Sequence, residues 1–592
     1  MLDRLYETKA LSNLWRLADW SYSDESPVYV QDRDGTLLEV IQCSQGVKQG
    51  CPLALTLFCV GFTPIIRDAT KDHPSVVPIA IADDVTFSGP PDQVLEVSSV
   101  FNELLMPAGL VSRPDKKVFV SLHRDPVPEH IAKLLEEQKL AVETDGFVFA
   151  GIPIAASDAT ITRLLGPILD SVRELTALLV HPAMPKAVGF QILQQSANAK
   201  CINIARCLRP AFCIPFAEDF DKLILNTFQA LLGKELSEPQ IRQSTFPFSK
   251  GGLGLRPLAS ISLAAYVGAA AVVAPLWTPV LGGDWRSSCP HYVDSVLEAV
   301  VALRPKLKPR DYSALFRPDQ PHSFWEFFTS DEGLKLLADA KGGLQGVLTS
   351  LSEGKELDNY KDTLSPGDRS RLNSSSQKFA SEWLRSSKTN TQLANSHFVA
   401  AVLLRLGTPG ESDSDPASSL SDNSVAPKLK DLRSKSIEDV IAMWALRAGA
   451  ERAETQPKDL WLDDNSTPDI DLILGGRKIL VDVAVVHPSA PSYVVEARNP
   501  LGGSATMVLT KEEKYAKLAD SLGAEVVPAV IETFGALSDP LLGLFKDISK
   551  YASTKPYLVW SPREIYQGLL LDTSLALQCW NAKIILEGAR SR

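Results

Sequence analysis

Two neighbouring carboxylates, Asp83 and Asp84, interrupt an apolar stretch in "PIAIADDVTFSG", residues 78–89. The pattern predicts a buried strand, in which adjacent like charges and burial both raise the pKa of the acids. Divalent cations offset this cost, since Mg²⁺ takes carboxylate oxygens as ligands. Two such ions can stabilise the attacking and leaving oxygens of a phosphoryl transfer. We therefore expect a tight hairpin that presents both aspartates to Mg²⁺ or Mn²⁺ at its turn.

A second pair of acids lies near the C-terminus in "TPDIDLILGGRKILVDVAVVHP", residues 467–488. Asp469 opens one predicted strand and Asp482 lies inside the next, with a Gly-Gly turn at 475–476. Antiparallel hairpin partners can bring two carboxylates to one end of a sheet. A metal-dependent nuclease needs such acids and a lysine that stabilises developing charge or positions a water. The alternative is a buried strand whose aspartate pairs with a cation on a helix.

The elements around the first pair alternate between strand and helix over residues 1–155. A hairpin is predicted over "SPVYVQDRDGTLLEVIQ", with Asp34-Gly35 at its turn. An apolar-faced helix is predicted over 52–70, and another over 92–109 that Pro and Gly end. These elements predict a mixed α+β unit.

The rest of the chain divides at a polar stretch. Residues 156–405 are mostly helical in pattern, and 406–427 are rich in Ser and Asp, which predicts a disordered linker. Residues 428–592 then predict a compact α/β unit: two strands, the helix "TKEEKYAKLADSLG", the strand "EVVPAVIETF" and two further helices. We expect a multidomain α+β protein.

Composition sets bounds on the class of protein. The 592 residues suggest three or four domains. The net charge of −11 argues against a nucleic-acid binder, since such proteins usually show a basic footprint, although local patches can still be basic. The N-terminal "MLDRLYETKALSNLWRLADW" has no apolar core of a signal peptide. The apolar stretch 261–277 favours a buried helix over a membrane span. We expect a nuclear or cytoplasmic protein that is not secreted.

The eight cysteines form no CxxC pair and no Cys/His cluster with zinc spacing. Reduced thiols fit a reducing compartment. His397 has no cysteine between Cys289 and Cys579 to accompany it. We expect no structural zinc.

Several motifs together resemble the palm of a reverse transcriptase from non-LTR retrotransposons. "GVKQGCPLALTLF" (46–58) is similar to the motif that positions template and nucleotide, with Gln49 and Gly50 at its centre. "IADDVTF" resembles the catalytic Asp-Asp hairpin. The remaining likenesses are a helix-and-lysine motif with Lys116 or Lys117 near the triphosphate, a primer-grip hairpin at 146–154, and "SKGGLGLRPLASISLAAYVGA" (249–269) after the thumb.

The resemblance implies a partial palm over 1–155 and a helical thumb and connection over 156–405. The family's first metal-binding aspartate precedes the glutamine-glycine motif, and the candidates here, Asp3 and Asp19, lack its setting. We therefore expect an N-terminally truncated palm. In the intact family, a primer 3′-hydroxyl attacks the α-phosphate of a deoxynucleotide triphosphate along an RNA template.

Residues 428–592 resemble the restriction-like PD-(D/E)xK endonuclease of the same retrotransposons. The likeness implies that Asp469 and Asp482 hold Mg²⁺ or Mn²⁺. Ala484 stands where an orthodox member has lysine. The retrotransposon branch places that lysine on the next helix, where "LTKEEKYAKLA" offers Lys511 with Tyr515, and Lys514 as a rival. Glu438 is the candidate for a further acid on the first helix of the domain.

The resemblance thus implies a fragment of an RNA-directed DNA polymerase with a target-nicking endonuclease. Its partners would be an RNA template, a DNA target and deoxynucleotide triphosphates, with no membrane; the oligomeric state stays open. Two alternatives remain: a chain active only as a metal-dependent nuclease, and a catalytically dead relic that binds RNA.

Overall fold

The computed structural model describes residues 2–32, 35–48, 50–122, 127–138, 140–282, 285–316, 323–385, 393–407, 427–458, 460, 467–556 and 558–590. The expected turn residue Asp34, the expected template-positioning residue Gln49 and nearly all of the expected linker lie outside these residues. The contacts within the chain define two units, Met1–Phe147 with Ala155–Ser157, and Val148–Ile154 with Asp158–Arg592.

The first unit mixes short helices with two-stranded sheets. Its helices are α1 (Leu2–Glu7), α2 (Trp15–Tyr22), α3 (Ala54–Thr70), α4 (Pro91–Leu105) and α5 (Glu129–Glu137), with 3₁₀ turns at Lys9–Leu14, Met106–Ala108 and Pro114–Lys116. Its strands are β1 (Ser26–Gln31), β2 (Leu37–Cys43), β3 (Val77–Ile81), β4 (Asp84–Ser88), β5 (Val118–Val120) and β6 (Ala141–Glu143). β7 (Gly146–Phe149) and β8 (Ile152–Ala155) form a further two-stranded sheet where the two units divide.

The predicted helices α3 and α4 are present and pack against each other because their apolar residues recur at helical spacing. Phe62 of α3 and Phe87 of β4 both contact Phe101 of α4 edge to face, with ring centroids 5.9 and 5.3 Å apart. The predicted hairpin β1–β2 is also present, and its strands pair antiparallel.

The hairpin β3–β4 differs from its prediction in burial. The two strands pair antiparallel from Val77↔Ser88 to Ile81↔Asp84. Val77, Ile79 and Ile81 are 57%, 43% and 52% exposed, so the expectation of a buried strand was wrong. Among the described residues β3 pairs only with β4. An apolar strand is buried only where a second layer or further strands cover it.

The second unit begins with a long helical segment, as its pattern predicted. Its helices are α6 (Asp158–Leu179), α7 (Lys186–Gln195), α8 (Ile202–Cys207), α9 (Pro210–Leu232), α10 (Glu238–Thr245), α11 (Leu258–Leu281), α12 (Trp285–Ser288), α13 (Pro290–Leu303), α14 (Pro309–Leu315), α15 (Ser323–Thr329), α16 (Asp331–Asp339), α17 (Gly343–Asp362), α18 (Pro366–Ser375) and α19 (Asn395–Leu406). 3₁₀ turns lie at Ala197–Ala199, Phe248–Lys250, Arg304–Lys306 and Glu382–Leu384.

The glycine-rich segment before α11 is closely packed. A Cβ on Gly252 would lie 2.0 Å from the backbone oxygen of Phe246. The wholly buried guanidinium of Arg405 donates to the backbone oxygens of Gly252 at 3.1 Å and Ser375 at 3.1 Å. Its side chain therefore ties this segment to α18, since each backbone oxygen that it bonds would otherwise be buried without a donor.

Helix α11 contains Leu258–Trp277, which by length and composition could cross a membrane, and 61% of its most apolar window is buried within the protein. Its buried residues include Tyr266, which is 3% exposed and belongs to a hydrophobic cluster with residues of α13.

The α/β part of the second unit follows the predicted order. It contains α20 (Pro427–Arg447), β9 (Arg452–Thr455), β10 (Ile470–Leu474), β11 (Arg477–Val486), α21 (Gly502–Leu522), β12 (Glu525–Glu532), α22 (Asp539–Ala552) and α23 (Pro562–Arg590), with a 3₁₀ turn at Glu496–Arg498. The strand order is β12-β11-β10-β9. β11 pairs parallel with β12, and β10 pairs antiparallel with β11 and β9. The predicted Gly-Gly turn joins β10 to β11, where Leu474 pairs with Arg477.

Successive side chains in β10 and β11 point to opposite faces of the sheet, one covered by apolar residues and the other carrying the acids. Ile470, Leu472 and Val481 are all fully buried in one apolar cluster with residues of α20, α22 and α23. Asp469 and Asp482 occupy the alternate positions. The sheet therefore directs the two acids away from the face that these helices cover.

Candidate functional site

The hairpin β10–β11 brings the two C-terminal acids together. Ile470 pairs with Val481, and the same register continued by one residue sets Asp469 opposite Asp482. The backbone N–H of Val483 donates to Asp469 Oδ2 at 2.7 Å. Asp482 is only 3% exposed. The two carboxylates, which a turn separates in sequence, thus lie side by side where the pairing of β10 with β11 ends.

Helix α21 adds a lysine to this pair. Lys511 Nζ lies 2.6 Å from Asp482 Oδ2. Lys514, its rival, is exposed and lies over the Tyr515 ring, 4.9 Å from the centroid. The Tyr515 hydroxyl donates to the Thr467 backbone oxygen at 3.0 Å and ties α21 to the segment that enters β10. The structure therefore brings Lys511 to the acids.

A third acid approaches from α20. Glu438 is 3% exposed, and its Oε2 accepts a hydrogen bond from Gln456 Nε2 at 2.8 Å. The same Gln456 nitrogen lies 3.2 Å from Asp469 Oδ1. The sequence analysis missed Gln456, because a single glutamine after a short strand has no distinguishing pattern.

Burial and neighbouring negative charge raise the pKa of both Asp469 and Glu438. Burial, and then the charge of Asp482, raise the pKa of Asp469 to about 6, against the hydrogen bonds from Val483 and Gln456. Burial raises the pKa of Glu438 to about 7, with the charge of Asp469 adding to it. Such concentrated negative charge is typical of sites that bind cations or move protons.

A neighbouring acid faces different partners. Asp471, 1% exposed, lies two residues along β10 from Asp469. Arg452 Nε lies 3.2 Å and Lys478 Nζ 3.8 Å from its oxygens. These cations balance its charge, so Asp471 is a structural carboxylate beside the cluster.

The chemistry of the donors suits a hard divalent cation. Mg²⁺ is commonly held by one or two carboxylates, with water and substrate phosphates as its remaining ligands. Asp469 and Asp482 supply such a pair. Within the part of the chain that the structure describes, no group of three or more His, Cys, Asp and Glu is arranged to hold a metal ion. A cation here would therefore complete its coordination with water and, when DNA is bound, with phosphate oxygens.

The N-terminal aspartates occupy a different setting. Ala82 and Asp83 form the two-residue loop between β3 and β4, and Asp84 opens β4. Both carboxylates are exposed, and Ala82 has a positive φ of 56°. Asp19, a candidate for the third carboxylate, accepts a hydrogen bond from the Tyr6 hydroxyl at 2.7 Å. Among the described residues no third carboxylate joins Asp83 and Asp84.

The other predicted residues of the first unit have local roles. Gly50 has a φ of 83°, which favours glycine. Lys117 Nζ donates to Asn102 Oδ1 at 2.8 Å, and burial lowers the pKa of this lysine. Lys116, its alternative, is exposed.

His397 and Cys579, which are far apart in sequence, contact each other in the structure. His397 Nδ1 of α19 lies 3.7 Å from Cys579 Sγ of α23. Burial, with the charge of Lys583, lowers the pKa of His397. The contact joins two helices across 182 residues of sequence.

Comparison with known proteins gives one distant similarity. The chain is 23% identical over 262 residues to the Retrotransposable element SLACS 132 kDa protein of Trypanosoma brucei gambiense. The match covers 44% of this chain and 21% of the length of that protein. No family model matches the chain. The similarity supports a retrotransposon-related protein.

Proposed function

We propose that this chain is part of a retrotransposon protein and that Asp469, Asp482 and Lys511 cut one strand of a DNA target. The observation that carries the proposal is the approach of Lys511 Nζ to 2.6 Å from Asp482 Oδ2, beside an acid on the paired strand. A structural ion pair alone would not require a second acid on the neighbouring strand, opposite Asp482.

Each side chain has a defined part in the proposed reaction. Asp469 and Asp482 would hold Mg²⁺ or Mn²⁺, which when bound supplies positive charge and Lewis acidity beside the phosphate. Water attacks phosphorus and gives up one proton to solvent, and the bond from phosphorus to the 3′ oxygen breaks. That oxygen takes a proton and leaves as a 3′-hydroxyl, while the other strand end keeps the 5′-phosphate. The Lys511 ammonium stabilises the negative charge that develops on the phosphate oxygens.

Nicking of supercoiled plasmid DNA by the full chain tests the proposal. We expect nicking that requires Mg²⁺ or Mn²⁺ and falls at least a hundredfold in Asp482→Asn and in Lys511→Ala. Lys517→Ala, an exposed lysine on the same helix, is the matched control and should keep full activity. Lys514→Ala separates the two candidate lysines, since loss there instead would move the role to Lys514. Nicking that survives Asp482→Asn would overturn the proposal.

A second activity is favoured by the β3–β4 hairpin. We propose that Asp83 and Asp84, exposed at its turn, belong to a palm that extends a DNA primer along RNA with deoxynucleotide triphosphates. The ordered motifs of a reverse transcriptase support this proposal. Primer extension by the full chain, lost in Asp83→Asn, would support it, and absence of extension beside normal nicking would leave the nuclease alone. Absence of both activities, with salt-sensitive RNA binding retained, would favour the relic.

A further inference from the structure

Gln456 connects two of the acids through a single nitrogen. Its Nε2 lies 2.8 Å from Glu438 Oε2 and 3.2 Å from Asp469 Oδ1. An amide nitrogen carries two hydrogens, so it can donate one to each carboxylate. Gln456 itself is exposed, which puts this bridge on the open side of the acid cluster.

The backbone of Gln456 is also hydrogen-bonded to Asp469. Its N–H donates to the Asp469 backbone oxygen at 2.7 Å. Its φ of 52° lies in the left-handed region, which residues with a Cβ adopt at a cost. Glycine or asparagine would meet the needs of this turn more easily. The hydrogen bonds of the Gln456 side chain to Glu438 and Asp469 offer a reason for a glutamine at this position despite the backbone cost.

The bridge fixes the orientation of Asp469. Oδ2 accepts from the Val483 N–H on β11, and Oδ1 accepts from Gln456 after β9. One donor on β11 and one on the residue that follows β9 thus hold the plane of this carboxylate. Each carboxylate oxygen keeps a further lone pair, because it accepts only one of the hydrogen bonds described.

We propose that Gln456 is a positioning residue of the proposed nuclease: anchored on Glu438, it holds Asp469 in the orientation that receives a divalent cation beside Asp482. This inference rests on the proposed function. It assigns Glu438 to the site through Gln456. Partners of this kind, one step behind the metal ligands, commonly change metal affinity by 10–100-fold.

The test compares three substitutions in the full chain. Gln456→Gly removes the bridge and relieves the left-handed backbone, so it should fold at least as well as wild type. Gln456→Ala removes the bridge and keeps the backbone cost. Gln456→Asn keeps an amide and tolerates the backbone, but it is one methylene too short to span both acids. Lys458→Ala, an exposed residue of the same connection, is the matched control.

Mn²⁺ binding, measured from the electron paramagnetic resonance signal of free Mn²⁺, is the readout besides activity. The part of the Mn²⁺ binding that is lost in Asp482→Asn is assigned to this site. We expect all three Gln456 variants to weaken that binding about tenfold. The Mn²⁺ concentration for half-maximal nicking should rise in parallel, while the rate at saturating Mn²⁺ changes by less than threefold.

The outcomes separate this inference from the function on which it rests. Wild-type Mn²⁺ binding in a folded Gln456→Gly would show that Gln456 only closes the turn, and would overturn the inference alone. Absence of binding that depends on Asp482, together with absence of nicking, in the wild-type chain would overturn both.

Discussion

Lys511 Nζ lies 2.6 Å from Asp482 Oδ2, although 29 residues separate the two in sequence and Asp482 is 3% exposed. A buried carboxylate needs a partner, because breaking such a pair leaves its charge uncompensated. The same contact therefore has a consequence for stability as well as for the proposed chemistry.

Removal of this lysine should destabilise the fold. We expect Lys511→Met to lower the free energy of unfolding by about 2 kcal/mol, reduced from the value for a wholly buried pair because Lys511 is 21% exposed. Urea denaturation followed by tryptophan fluorescence measures this change. Lys517→Met should stay within about 0.5 kcal/mol of wild type. The double variant Asp482→Asn/Lys511→Met should recover part of the loss, and strict additivity would contradict the coupling.

The turn of the β3–β4 hairpin should be improved by glycine. Ala82 has a φ of 56°, which costs an L-residue roughly 1–2 kcal/mol. Gly lowers that cost but gains freedom in the unfolded chain, so we expect Ala82→Gly to stabilise the hairpin by about 0.5 kcal/mol. Hydrogen exchange of the β3 and β4 amides measures this local effect. Ala80→Gly, inside β3, should instead speed exchange.

A buried acid in the helical segment gives a pH dependence of stability. Asp221 accepts hydrogen bonds from the backbone N–H groups of Leu258 at 2.6 Å and Ala259 at 3.0 Å, at the start of α11. Burial outweighs these bonds and raises the pKa of Asp221 to about 6. The folded state thus binds this proton more tightly than the unfolded state, whose value is about 3.9.

The direction of the pH dependence follows from this difference between the folded and unfolded pKa of Asp221. The contribution of Asp221 to stability is complete below about pH 4 and is lost as pH rises through about 6, by about 3 kcal/mol in all. Asp221→Asn lacks this proton. Its free energy of unfolding relative to wild type should therefore rise by about 2 kcal/mol between pH 4 and pH 7. A constant difference across that range would contradict the assignment.

Close packing at Gly252 predicts a large effect from one methyl group. A Cβ there would lie 2.0 Å from the Phe246 backbone oxygen, so we expect Gly252→Ala to cost about 3 kcal/mol or more. Gly354, inside α17, has open space around the same position, and Gly354→Ala should stabilise by about 1 kcal/mol. The midpoints of thermal unfolding of the two variants should move in opposite directions.

The contact between the two C-terminal acids could be predicted from sequence, because a single hairpin, β10–β11, determines it. Asp469 and Asp482 flank a Gly-Gly turn, so antiparallel pairing alone brings them together, and Lys511 follows on the next helix. Gln456 could not be predicted, because its contacts depend on a left-handed backbone and on how α20 packs beside β9. The exposure of β3 also escaped prediction, since apolar composition indicates a strand but not the partners that cover it.

The hydrogen bond from the Tyr515 hydroxyl to the Thr467 backbone oxygen links α21 to the residues just before Asp469. Tyr515 is 1% exposed and Thr467 is half-buried, so the link is partly shielded from solvent. This hydrogen bond therefore couples the position of the helix that carries Lys511 to that of the strand that follows Asp469. A shift of α21 would therefore be passed to Asp469 as well as to Lys511, so that the two side chains keep their spacing.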